Sequence, residues 1–184
     1  MHESMYDDDL KSFRDSFKKF LDKEVKPFHA QWEREGMVPR ALWEKAGAAG
    51  FLCIPMATEY GGSGLDHWYT VVLCEELMRS LSVGIGVSML VQSEFATAVL
   101  HDEGPEELRR ALLPAAIRGE TIWALGVTEP GFGSNVAGLQ TTARREGGDY
   151  VINGSKIFIS NGTRADFITL AVRTGGEGPK GISL

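Results

Sequence analysis

The stretch RGETIWALGVTEPGFGSN, residues 118–135, divides the chain into two parts of different character. Before it, apolar residues recur at helical spacing. After it, short β-prone runs alternate with Gly-rich turns. Helices and strands in separate blocks are typical of α+β proteins and not of a doubly wound sheet. We therefore expect an α-helical domain over residues 1–120 and a β-domain over residues 121–184.

The N-terminal part carries repeated helix signals. Apolar residues follow a helical period at Leu10, Phe13, Phe17, Phe20 and Leu21, and acidic residues at 7–9 supply a cap. We read the Phe positions as core. Further helices are predicted over 40–49, from a cap at Asp66 through Met78, over 85–100, and from the Gly104-Pro105 break to about residue 118.

The C-terminal part is expected to be an antiparallel β-domain. Strands are predicted over 122–128, 139–145 and 167–173, with a turn at 147–149. Asn153-Gly154 predicts a second hairpin turn. The strand that follows, over 156–162, would place Phe158 and Ser160 on one face.

Composition excludes several classes of protein. The 184 residues carry a net charge of −6, and 43% are hydrophobic, which argues against a disordered chain and against nucleic-acid binding. The acidic start lacks the features of a targeting signal, and residues 80–93 fall short of the ~20 apolar residues that span a bilayer. Two isolated cysteines favour a reducing compartment, and the histidines have no metal-ligand spacing. We expect a cytoplasmic protein with no membrane span and no bound metal.

Two segments are suited to a planar, phosphate-bearing cofactor. The loop at 127–135 combines small residues with hydroxyls, so its backbone N–H groups could approach an anion; an ordinary strand-end loop would have the same composition. Phe158 and Ser160 could meet a flat heteroaromatic ring, or could simply pack in a core. The loop has neither the third glycine of a dinucleotide fingerprint nor the Gly-Lys-Ser/Thr of a P-loop. Gly61–Leu65 lacks the strand and the last glycine of a nucleophile elbow.

Taken in order, five segments resemble the acyl-CoA dehydrogenase family. They are EYGGSGLD at 59–66, EEL at 75–77, the helix between Gly104 and Glu120, TEPGFGSN at 128–135, and NGSKIFISNG at 153–162. The resemblance covers essentially the whole chain. Two positions depart from it: Asn135 stands where the family often has Asp, and Phe158 stands where many members have Trp.

The resemblance implies FAD-dependent α,β-dehydrogenation of an acyl-CoA thioester, as in fatty-acid β-oxidation. The flavin accepts the hydride and the protein orients it. The resemblance implies an electron-transfer flavoprotein as acceptor and a homo-oligomer, a tetramer or a dimer. The implied cofactor-binding residues are Leu125, Val127, Thr128, Gly133, Ser134, Phe158, Ile159 and Ser160, with Ser134 also contacting the CoA substrate.

The family's C-terminal helical domain and its catalytic glutamate have no counterpart before Leu184, so no catalytic residue is assigned. We expect the 184-residue chain alone to hold FAD poorly and to lack activity. Two alternatives remain open. One is an acyl-CoA oxidase or flavin monooxygenase on the same scaffold, and the other is a non-catalytic truncated binding module.

Overall fold

The computed structural model describes residues 6–184, in which every helix longer than one turn precedes the first strand. The α-helices are Asp8–Glu24 (α1), His29–Glu35 (α2), Ala41–Ala48 (α3), His67–Arg79 (α4), Val83–Leu90 (α5), Thr97–Glu103 (α6) and Glu106–Ile117 (α7). The strands are Trp123–Gly126 (β1), Thr142–Glu146 (β2), Asp149–Asn153 (β3), Phe167–Leu170 (β4), Val172–Arg173 (β5) and Ile182–Ser183 (β6). This order confirms the α+β fold class.

Helix α1 begins at a carboxylate cap and buries an aromatic face. The Asp7 side chain accepts a hydrogen bond from the backbone N–H of Leu10 at 2.8 Å, which satisfies one of the free donors of the first turn. Phe17 is fully buried. Its ring centroid lies 4.8 Å from that of Phe51, and Phe13 packs edge-on against the same ring at 5.7 Å. The Phe positions therefore form core, as predicted.

Helices α5 and α6 belong to one helical run, Val83–Glu103, with a π-helical segment at Val91–Ala96 between them. Within residues 6–184 this run alone is long and apolar enough to cross a membrane. Gln92 lies in the middle of this run and is fully buried. Its side-chain amide donates to the backbone carbonyls of Ala116 and Thr121, each at 3.0 Å. A buried amide satisfied by neighbouring backbone is typical of a core helix.

Two predicted helix boundaries are confirmed. The Asp66 side chain accepts from the backbone N–H of Trp68 at 2.9 Å and caps α4. Gly104 and Pro105 separate α6 from α7, and Pro105 is the N-cap residue of α7 in an extended conformation. Both signals are local, so these helix boundaries can be predicted from the sequence without information on the tertiary fold.

The strands form two small sheets whose pairing differs from the antiparallel arrangement expected. In the first, β1 and β4 pair in parallel, from Trp123 opposite Phe167 to Gly126 opposite Leu170. The second has the order β3-β2-β5-β6, in which β2 and β5 are parallel and the other two pairings are antiparallel. The predicted strand over 167–173 is divided between the two sheets at Ala171, whose N–H still bonds to Gly126.

The prediction of a strand over 156–162 is wrong, and Phe158 and Ser160 share no strand face. Phe158 has φ +58° and Asn161 has φ +65°. Both lie in the left-handed region, which a strand does not adopt. The chain therefore turns twice within four residues where the apolar pattern predicts an extended run.

The hairpin turn predicted at Asn153-Gly154 is also wrong, whereas the turn predicted at 147–149 joins β2 to β3. Gly154 instead meets a neighbouring segment at close range. A Cβ at this position would lie 2.3 Å from Oγ1 of Thr141 and 2.6 Å from its Cα. Any side chain would displace Thr141, the residue just before β2, so this glycine permits close packing and not a hairpin turn.

Candidate functional site

The loop that follows β1 is closed by a pair of backbone hydrogen bonds. Glu129 N–H donates to the Phe132 carbonyl at 2.9 Å, and Phe132 N–H donates to the Glu129 carbonyl at 3.1 Å. Gly133 and Ser134 come next and are exposed. The loop therefore presents its small residues outward, where a ligand could reach their backbone.

The two segments singled out from the sequence meet at the end of β1. Ile157 N–H donates to the Thr128 carbonyl at 3.0 Å. The Lys156 ammonium donates to the Val127 carbonyl at 2.9 Å. Leu125, Val127 and Thr128 are half-buried along this junction. The structure thus brings the 125–134 and 156–160 segments together without the strand that was expected to do so.

A buried ion pair fastens the same junction. The Lys156 ammonium lies 2.9 Å from a carboxylate oxygen of Glu129, and the two side chains are only 9% and 5% exposed. The carboxylate also accepts the backbone N–H groups of Gln140 at 2.7 Å and Thr141 at 2.8 Å. Burial alone would raise the pKa of Glu129. The Lys156 ammonium and these N–H donors outweigh it and lower that pKa from 4.5 to about 2.

This pKa predicts an acid-sensitive junction. Because the folded-state pKa of Glu129 lies below its ordinary value, the carboxylate stabilises the fold above about pH 4.5, and that contribution is lost as the pH falls toward about 2. We expect the difference in urea midpoint between the unmodified chain and Glu129→Gln to be largest near neutral pH and to shrink steadily on acidification. A difference that stays constant down to about pH 2 would contradict this.

Phe158 is an exposed aromatic residue held in an unusual conformation. It is 90% exposed at φ +58°, and a bulky residue in this region is a conformational outlier. Asn161 anchors the segment, because its side-chain amide donates to the carbonyls of Ser88 at 3.0 Å and Trp123 at 3.1 Å. Ile159 and Ser160 lie between, half-buried. The fold thus presents an aromatic ring to solvent beside the β1 junction.

Exposed apolar side chains occur on the Val83–Glu103 run, which the 158–161 turn contacts through Ser88. Val83, Val87 and Phe95 are exposed, and the bond from Asn161 to Ser88 brings the 158–161 turn against the same helix. The sequence pointed to the helix near Met89–Phe95 as part of an acyl pocket, but it did not single out Val83 or Val87. Apolar periodicity alone does not distinguish a helix face that packs in the core from one that lines a site.

An open apolar groove of about 820 Å³ separates α6 and α7 from the strands. Its exposed lining includes Leu108, Tyr150, Ile152, Phe167 and Ile168. Exposed apolar side chains on both of its walls make the groove suited to packing against another apolar group.

The remaining sequence candidates form no site. Within residues 6–184 no group of His, Cys, Asp and Glu could hold a metal ion, and His2 lies outside the described residues. His101 Nε2 accepts the backbone N–H of Ala57 at 3.3 Å. Burial raises the pKa of the Cys53 thiol to about 11, which makes it unreactive near neutral pH.

A helical domain followed by small β-sheets places the chain in the α+β class. The model of the acyl-CoA dehydrogenase N-terminal domain matches residues 7–120, and that of the acyl-CoA dehydrogenase middle domain matches residues 124–184. The chain therefore belongs to the acyl-CoA dehydrogenase family.

Named relatives agree with this assignment. The long-chain specific acyl-CoA dehydrogenase of Sus scrofa mitochondria is 39% identical over 175 residues, which cover 94% of this chain and 40% of the relative. The acyl-CoA dehydrogenase of Geobacillus kaustophilus is 39% identical, with a TM-score of 0.92 over 97% of this chain and 47% of that one. A glutaryl-CoA dehydrogenase from Mycobacterium smegmatis, in complex with FADH2, is 31% identical, with a TM-score of 0.88 over 93% of this chain and 44% of that one. The chain spans less than half the length of these relatives.

Proposed function

We propose that this chain supplies the flavin-facing and part of the acyl-facing surface of an FAD-dependent acyl-CoA dehydrogenase acting in fatty-acid or related acyl-CoA catabolism. The observation that carries the proposal is the junction at the end of β1. There the 125–134 and 156–160 segments, which are far apart in the sequence, are joined by a backbone hydrogen bond and a buried ion pair.

The open loop fits the phosphates of FAD. A Cβ placed on Gly131 or Gly133 would meet no atom within 4 Å, and neither glycine has a positive φ. The fold itself therefore does not require glycine at either position, and the space beside Gly133 is free for a pyrophosphate to approach the backbone. The exposed Ser134 adds a hydroxyl that can donate to a phosphate or to the CoA part of a substrate.

The junction fits the ring system. Leu125 and Val127 offer an apolar wall, and the Thr128 hydroxyl offers a hydrogen bond to a ring edge. Phe158, with Ile159 and Ser160, would place an aromatic plane and a hydroxyl against the ring. Bound FAD would supply the redox chemistry by accepting the hydride from the β-carbon of the acyl group. The residues named here would bind the cofactor, orient it and exclude water from it.

No residue of this chain is proposed as the catalytic base. Glu129 lies beside the junction, but its carboxylate accepts bonds from Lys156, Gln140 and Thr141. Its pKa of about 2 also makes it a poor proton acceptor near neutral pH.

The exposed apolar side chains of the Val83–Glu103 run support an acyl substrate, and membership of the family supports the partners. Val83, Val87 and Phe95 are exposed apolar side chains, which suit the hydrocarbon of an acyl group better than a polar substrate. We further propose an electron-transfer flavoprotein as electron acceptor, a homo-oligomeric assembly, a homotetramer or a dimer, and a cytoplasmic location.

A chimera tests the proposal. Residues 1–184 replace the matching part of the Geobacillus kaustophilus enzyme, whose fold they share at a TM-score of 0.92. We expect a yellow protein with one FAD per chain, whose flavin is bleached by a saturated acyl-CoA without oxygen and reoxidised slowly by oxygen. Fast reoxidation would instead favour an oxidase or a monooxygenase. A folded chimera that takes up no flavin, or that acyl-CoA does not reduce, would refute the proposal.

A further inference from the structure

The Glu129–Lys156 pair connects three parts of the chain. Lys156 Nζ reaches both the Glu129 carboxylate and the Val127 carbonyl, each at 2.9 Å. The same carboxylate also accepts hydrogen bonds from the backbone N–H groups of Gln140 and Thr141, just before β2. The glycine loop, the entry to the second sheet and the segment leading to Phe158 therefore meet at one carboxylate.

The segment after Lys156 is anchored by Asn161 at its far end, and at its near end by Lys156 and Ile157. Residues 154–160 belong to no strand. The one backbone hydrogen bond from this segment to the loop is the bond from Ile157 to Thr128 at 3.0 Å. Phe158 follows in a strained left-handed conformation, which persists only where its surroundings fix it.

A stabilising role alone does not account for a buried ion pair. Taking two charges out of water costs about as much as their attraction returns, and a well-packed apolar pair often serves stability equally well. The pair also fixes geometry, because a carboxylate with three defined donors sets the positions of the groups that donate to it.

We propose that Glu129 and Lys156 are positioning residues for the flavin site. They hold the Phe158–Ser160 turn at a fixed separation from Thr128 and Gly133, and neither side chain contacts the cofactor itself. The inference rests on the proposed function, since the spacing matters only if a ligand lies across both segments.

The experiment compares Glu129→Gln, Lys156→Met and the double variant in the full 184-residue chain. Asp166→Asn is the matched control. Asp166 pairs with Arg40 at 2.5 Å and accepts the Ile122 N–H at 2.8 Å, so its loss weakens the start of β1 without touching the 129–156 junction. Each variant is measured by urea unfolding, by amide hydrogen exchange without ligand, and by titration with FAD.

We expect Glu129→Gln and Lys156→Met each to raise the FAD dissociation constant about tenfold or more, and to speed exchange at the Ile157 amide selectively. The double variant, in which no buried charge is left unpaired, should regain stability but not FAD affinity. Asp166→Asn should lose stability while keeping both FAD affinity and Ile157 protection.

The inference would be overturned if Glu129→Gln and Lys156→Met lost stability but kept FAD affinity and Ile157 protection. It would also be overturned if Asp166→Asn lost FAD affinity and Ile157 protection to the same extent as these two variants. If the unmodified 184-residue chain takes up no FAD, the titrations are carried out in the Geobacillus kaustophilus chimera, whose own flavin uptake tests the proposed function separately, and exchange at Ile157 in the 184-residue chain decides the positioning role. Unchanged protection in both the Glu129→Gln and the double variant would overturn it, whereas selective loss would support it.

Discussion

Phe17→Ala is expected to destabilise the chain by about 3–5 kcal/mol, a large part of the roughly 5–15 kcal/mol that holds a typical domain folded. Phe17 is fully buried, and its ring packs 4.8 Å from that of Phe51 and against Phe13. The substitution removes the ring and leaves a cavity, because α1 and the loop carrying Phe51 are held in place by other contacts. Urea unfolding followed by tryptophan fluorescence measures the loss.

Phe28→Ala is the matched control, because Phe28 is exposed and stacks on Trp32 with a centroid distance of 5.6 Å. We expect this control to cost about 1 kcal/mol or less. Equal losses at Phe17 and Phe28 would show that the aromatic cluster of α1 is not the core that the structure describes.

The helical half was predictable because its signals are local. Asp7 and Asp66 cap helices within three residues of their own positions. The Phe period of α1 describes the same face that the structure buries. Such signals need no information from distant parts of the chain.

The β-half was harder because its geometry depends on distant contacts. The apolar run at 156–162 has the composition of a strand, yet Asn161 bonds to carbonyls of Ser88 and Trp123, 73 and 38 residues away. These bonds favour a left-handed turn over an extended strand. No local pattern reports them, so propensity predicted the wrong conformation.

The contact that forms the candidate site also depends on distant parts of the chain. The resemblance pointed to both the 125–134 and 156–160 segments, but the contact between them appears only in three dimensions. Glu129 and Lys156 are 27 residues apart, and neither is an unusual residue in its own segment. A charged pair of this kind can be recognised only once burial and distance are known.

Gly133→Val is expected to raise the FAD dissociation constant by at least about tenfold, or 1.4 kcal/mol, while leaving the fold as stable as before. Gly133 lies in the exposed loop, has no positive φ, and has no atom within 4 Å of a built Cβ. The protein therefore tolerates a side chain there. A pyrophosphate would not, because its oxygens must approach the backbone where the valine methyl groups would stand.

Gly148→Val provides the control, since Gly148 lies in the turn between β2 and β3 and also has no atom within 4 Å of a built Cβ. Urea unfolding of the 184-residue chain should give the same midpoint for both variants and for the unmodified chain. In the chimera, flavin content should fall only in Gly133→Val. Retention of flavin by the Gly133 variant would place the phosphates elsewhere. If the urea midpoint fell in Gly133→Val and not in Gly148→Val, the loop would need glycine at position 133 for folding.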